Sequence, residues 1–102
     1  MRTAEIYQQG KLAGILEELD QNRYRFNYAS EYRGQPISLA LPVREAPYDF
    51  DRFPPVFEGL LPEGEHLEAL VQQCEVDRKD MFRHLLLVGE DVVGSLTVRE
   101  PK

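Results

Sequence analysis

Tryptophan is absent from this 102-residue chain, cysteine occurs once (Cys74) and histidine twice (His66 and His84). A lone cysteine cannot close an internal disulfide, so a reducing compartment, the cytoplasm, is expected. A metal centre draws on several His, Cys or carboxylate ligands at matched spacing. Glu63, Glu65 and His66 lie together, but no second His or Cys accompanies them, so no metal is expected. No run approaches the roughly 20 apolar residues of a membrane span. Met1-Arg2-Thr3-Ala4-Glu5 lacks the apolar stretch of a signal peptide. The 7 glycines form neither Gly-x-Gly-x-x-Gly nor Gly-Lys-Ser/Thr, so no phosphate cradle or nucleotide cofactor is expected. Positive charge is also short: 12 Lys and Arg face 18 Asp and Glu, for a net charge of -6. Phosphate neutralisation supplies much of nucleic-acid affinity, so direct nucleic-acid binding is not expected.

The acidity is not spread evenly. Residues 45–80 hold ten acids against three bases (Arg52, Arg78 and Lys79), whereas both flanking stretches are near neutral. Solvated helix faces account for such a stretch. The sharper, less favoured reading is a surface that repels nucleic acid and suits a basic partner. Hydrophobic residues make up 42% of the chain, enough for one modest core, and residues 1–102 read as a single domain.

The first third carries strand patterns. Residues 3–8 and 12–17 flank Gln9-Gly10-Lys11, a hairpin signal, and Asp20-Gln21-Asn22 supplies the next turn. In Arg23 to Tyr28, aromatic residues alternate with polar ones at period two. Ile37-Ser38-Leu39-Ala40-Leu41 alternates as well and predicts a fourth strand, ended by Pro42. Residues 42–55, with four prolines, read as an ordered loop pinned by Phe50 and Phe53. Helical spacing follows. Phe57, Leu60 and Leu61 mark a short helix opened by Pro54-Pro55 and stopped by Pro62. Leu67, Leu70, Val71 and Cys74 mark a second, with Cys74 on its apolar face as a core residue. Phe82, Leu85 and Leu86 mark a third, capped by Asp77 or Asp80 and stopped by Gly89. Val92 to Val98 forms a last strand, with Gly94 as a bulge or close-approach point. The expected fold is α+β: an antiparallel sheet of about four to six strands with about three short helices packed on one face.

Catalytic constellations are scarce. His66 and His84 read as surface or boundary residues, and carboxylates this plentiful do not single out an acid–base pair. Tyr24, Phe26 and Tyr28 read as core rather than as a base-stacking platform. A small hydrolase or metal enzyme built on Glu63, Glu65 and His66 is the least favoured reading; the chain is expected not to be an enzyme. The stretch Phe57-Glu58-Gly59-Leu60-Leu61-Pro62-Glu63-Gly64 remains, compressing apolar anchors, a helix stop and a glycine turn into a few residues. It suits a packing corner and also a rigid protein contact.

Three features carry a resemblance to a known family: the opening hairpin with Gly10, Gly14 and Leu16 followed by Tyr24, Phe26 and Tyr28; the segment Ile37 to Pro42; and Phe57 to Gly64, with Gly89 and Val93-Gly94-Ser95-Leu96 closing the pattern. Together they resemble the N-terminal subdomain of HipA-type toxin kinases across essentially the whole chain. The chain stops at Lys102, where that subdomain would end and a kinase body would follow. The resemblance therefore implies the stand-alone, HipS-like form found in three-component HipBST toxin–antitoxin systems. Such a protein would be an antitoxin that binds and neutralises a HipT-like serine/threonine kinase, meeting a HipB-like helix-turn-helix protein through the complex. A non-inhibitory scaffold joining those two partners, or an N-terminal fragment of a full-length HipA kinase, are the alternatives. The implied partner-binding residues are Leu61, Pro62, Glu63, Gly64, Glu65 and His66. Family members often carry a basic or bulky aromatic residue after this motif. Here Glu65-His66-Leu67 stands instead, which would set Glu65 against a basic ATP or substrate pocket.

Overall fold

A computed structural model of the protein describes residues 2–20, 23–89 and 96–101. Strands β1 (Arg2–Gln8) and β2 (Lys11–Asp20) form a hairpin. Its loop, Gln9-Gly10, has positive φ at both residues (51° and 81°), the twist that a two-residue hairpin loop requires. β3 (Arg23–Tyr28) follows, then β4 (Tyr48–Phe50), α1 (Pro55–Glu58), α2 (Gly64–Cys74), α3 (Met81–Val88) and β5 (Leu96–Arg99). The strands build one antiparallel sheet in the order β4-β3-β2-β1-β5. The α+β plan with three helices matches the expectation.

The core lies on one sheet face. Alternation buries Ala4 and Ile6 from β1, Leu16 from β2, Tyr24, Phe26 and Tyr28 from β3 and Val98 from β5. α1 contributes Phe57 and α3 contributes Phe82 and Leu85. Aromatic rings lock these layers together. Tyr24 stacks on Phe82 at 6.3 Å and meets Phe53 edge-on at 5.4 Å, and Phe26 lies 6.0 Å from Phe57. Gly14 makes room for this packing, because a Cβ there would lie 2.7 Å from Phe26 Cζ and 2.2 Å from the Asn27 carbonyl oxygen. The other face is charged and paired across strands, as in Arg25–Asp49 at 2.7 Å.

Four details depart from the sequence reading. Ile37 to Leu41 is not a strand but a turn closed by an isolated bridge, Ser38 to Leu41. The Tyr28 hydroxyl takes its ladder groups, donating to the Leu41 carbonyl and accepting from the Ile37 N–H. The fourth strand is instead β4, inside the stretch read as a loop. Cys74 is exposed, because it ends a helix that buries no residue. His84 is buried (2% exposed), with Nε2 2.8 Å from the Asp77 carbonyl oxygen, rather than at the surface. Gly89 caps α3 in ordinary right-handed geometry (φ -60°). Its lack of a side chain serves close approach, since a Cβ would lie 2.5 Å from Val98 Cβ. Of the two candidate caps for α3, Asp80 is the one used, accepting from the Arg83 N–H at 3.2 Å. Gln21, Asn22, and the start of the last strand with Gly94, lie outside the described residues.

Candidate functional site

The corner between α1 and α2 is built from backbone geometry. Leu60 and Leu61 N–H groups donate to the Phe57 and Glu58 carbonyls at 3.0 and 3.1 Å, extending α1 by a last tight turn. Both leucines pack against the core. Pro62, without an N–H, ends the run. Glu63 is extended (φ -132°, ψ 161°) and occupies the N-cap of α2, where its carbonyl accepts the His66 N–H at 3.2 Å. Gly64 has φ +57°, and a Cβ there would meet nothing within 4 Å, so backbone conformation rather than space calls for glycine.

Leu61 and Pro62 are half-buried and anchor the corner; Glu63, Gly64, Glu65 and His66 are exposed. The six expected residues are consecutive in the chain, and four of them are open to solvent. The side chains of Glu58, Glu63, Glu65 and His66 make no hydrogen bond or ion pair among the described residues. Unpaired carboxylates on a rigid turn set up a local negative potential that favours a basic surface. No group of three or more His, Cys, Asp or Glu side chains among the described residues is placed to hold a metal ion. Beyond the corner, Leu67, Leu70 and Val71 of α2 are half-buried but stand apart from the core cluster. They extend the corner with an apolar stripe, and Arg78 ties back to Glu68 of the same helix at 2.7 Å.

Two features escaped the sequence reading. The first is a clamp at the chain start. Arg2 donates to both Glu18 carboxylate oxygens (2.8 and 2.7 Å) and to both Asp80 oxygens (2.9 and 2.8 Å), with its guanidinium 5.1 Å from the Phe82 ring centroid. These bonds raise the Arg2 pKa, Glu18 contributing most, and the Arg2 bond holds the Asp80 carboxyl below its ordinary range. Nothing in the sequence spacing links Arg2 to Asp80. The second is a pair of clefts of about 380 and 500 Å³ that share Ala29, Tyr32 and Arg33. Lys11, Leu12, Glu31 and Gly34 complete one; Tyr28, Ser30, Val43, Arg44 and Glu45 complete the other.

A five-stranded antiparallel sheet with helices gathered against one face, entered by a hairpin and closed by a short returning strand, is the plan of a HipA-type N-terminal domain. A solved structure described as the N-terminal domain of HipA toxin has this fold, with a TM-score of 0.77 and 29% identity over 100% of this chain and 94% of that one. The protein belongs to the HipA N-terminal domain family, whose model matches residues 4–99. It is also 36% identical over 104 residues to an uncharacterized protein of Haemophilus influenzae, covering 100% of this chain and 95% of that protein.

Proposed function

We propose that this protein is a non-catalytic antitoxin, which binds a HipT-like serine/threonine toxin kinase and neutralises it inside a three-component complex with a HipB-like helix-turn-helix protein. The observation that carries the reading is the corner at Leu61–His66, a rigid turn with exposed, unpaired acids in a chain matched to the HipA N-terminal domain family across residues 4–99. The Haemophilus influenzae relative, covered to 95%, is itself about this long, which supports a domain of this kind acting outside a kinase chain. Glu63 and Glu65 face a basic pocket of the kinase, Leu61 and Pro62 keep the turn rigid, and His66 with the start of α2 completes the footprint. Recognition is by charge and shape. The protein supplies no reacting group, and DNA is contacted by the helix-turn-helix partner rather than by this acidic chain. The complex works in the cytoplasm.

Co-expression with the kinase tests the reading. Growth should be restored by the wild-type chain and not by Glu63→Lys/Glu65→Lys, whose charges sit on exposed side chains and leave the fold intact. A kinase that stays toxic beside soluble wild-type protein refutes the proposal. Tight binding with unchanged kinase activity would make the protein a scaffold instead.

A further inference from the structure

A helix under about 12–15 residues is marginal in water by itself and draws most of its stability from a buried face. α2 has 11 residues and buries none of them. Leu67, Leu70 and Val71 are half-buried, but they stand outside the core cluster that takes in Phe57 of α1 and Phe82 and Leu85 of α3. Neither end of α2 compensates. Glu63 holds the N-cap position without a side-chain cap bond. No basic residue occupies the last turn to offset the carbonyl end of the helix dipole. The helix stops at Glu75 in left-handed backbone (φ 54°), a conformation that strains a residue with a side chain and that glycine ordinarily fills. The ion pair from Arg78 to Glu68 joins side chains 57% and 49% exposed, and a pair so open to water contributes little. α3 is the contrast: Asp80 caps it, Arg2 clamps that cap, and Phe82, His84 and Leu85 are buried.

The chain is pinned on both sides of α2. Upstream, Leu60 and Leu61 pack against the core. Downstream, the Asp77 carbonyl accepts the Asp80 N–H at 3.1 Å and lies 2.8 Å from His84 Nε2, and the Asp77 carboxylate accepts the Lys79 N–H at 2.9 Å. Between these anchors, Gly64 (φ +57°) and Glu75 are left-handed joints at the two ends of the helix. Residues 64–75 can therefore open at the cost of their own backbone bonds, with every core residue left in place. Glu65 and His66 of the corner ride on the first turn of this helix. When α2 opens, they lose their fixed positions beside Leu61, Pro62 and Glu63.

We propose that α2 is a conformational switch built into the corner: residues 64–75 unfold locally while the sheet, α1 and α3 stay folded, and docking on the toxin kinase draws them into helix. The local opening is a property of the free chain; its coupling to docking rests on the antitoxin reading above. Binding thereby includes a folding step, and residues outside the contact set how much affinity that step consumes.

Amide hydrogen exchange followed by NMR on the full chain tests the opening. Amides of residues 68–74 should be protected less than about 100-fold, and at least about tenfold less than the paired amides of β1 and β2. Glu75→Gly removes the left-handed strain and should raise that protection roughly fivefold. Ala69→Gly, at an exposed position inside the helix, should lower it by about the same factor. Neither variant should change exchange in β1 and β2. Purified kinase should slow exchange across residues 68–74 of the wild-type chain, and it should bind Ala69→Gly up to about fivefold more weakly. Amides of α2 as protected in the free chain as those of β1 and β2 would overturn the switch, whatever the kinase does. A kinase that binds and leaves exchange in α2 unslowed overturns the coupling and leaves the antitoxin reading standing. A kinase that does not bind overturns the antitoxin reading and the coupling together, while exchange in the free chain still decides the opening.

Discussion

Replacing Asp80 with alanine removes three contacts at one point: two carboxylate bonds from Arg2 and the cap on the Arg83 N–H. Loss of a helix N-cap costs about 1 kcal/mol. The ion pair is partly open to water, with Arg2 37% and Asp80 31% exposed, so solvent screens it. A pair of that kind contributes about 0.5–1 kcal/mol, towards the upper end here because Arg2 donates two bonds. The expected loss for Asp80→Ala is thus about 1.5–2 kcal/mol, or roughly 10 °C in Tm for a domain of this size. Asp80→Asn keeps a capping oxygen and loses the charge, so it should cost only about 0.5–1 kcal/mol. The pH dependence follows from the direction of the shift. Arg2 holds the Asp80 carboxyl below its ordinary value of about 3.9. The stabilisation it brings is present above that value and is lost as pH falls through the lowered, folded-state value. Wild type and Asp80→Asn should therefore differ constantly above about pH 5 and converge in acid. Urea melts across pH 3–7 provide the measurement. An Asn variant as unstable as the Ala variant, or a gap that widens in acid, would refute the clamp as described.

Cys74, exposed at the end of α2, should react with a maleimide in the native protein at close to its rate in denaturant; strong protection would show that α2 packs more tightly than described. Gly14→Ala places a Cβ 2.2 Å from the Asn27 carbonyl oxygen and should cost about 2–3 kcal/mol or more in a melt, and a neutral result would mean that the β2–β3 contact yields easily. Tyr28→Phe leaves the buried Ile37 N–H and Leu41 carbonyl without their partner, and about 1–3 kcal/mol should be lost together with hydrogen-exchange protection at Ile37; retained protection at that amide would argue against the turn.

Much of the fold was legible because local pattern and burial agree over most of the chain. Arg23 to Tyr28 alternates in sequence and in burial, since β3 is covered on one face only. Pro55 sits at the first helical position of α1 and Asp80 caps α3, and both are local signals that tertiary packing left intact. Gly64 was recognised as a turn, and its φ of +57° gives the reason. The turn at Leu61–Gly64 was legible as a compact motif, because apolar anchors beside a proline and a glycine favour a corner.

Where the reading failed, a distant group had claimed the backbone or withheld the burial. Ile37 to Leu41 has a strand pattern, but the Tyr28 hydroxyl occupies the groups a ladder would need. Tyr48–Phe50 is too short to show a period and becomes a strand only because the edge of β3 is there to pair with it. Cys74 lies on the apolar spacing of a helix that buries no residue, so periodicity assigned a burial that the fold does not provide.

The sequence by itself determined the α+β plan, the strand hairpin, the three helices and the acidic corner, because each follows from periodicity, capping and turn chemistry within a few residues of chain. Tertiary structure alone decided which apolar residues are covered and which charges are paired. It set Arg2 against Asp80, buried His84 and left Leu39 in water. Those outcomes depend on contacts between residues far apart in the chain, and spacing along a sequence carries no record of what will arrive from elsewhere.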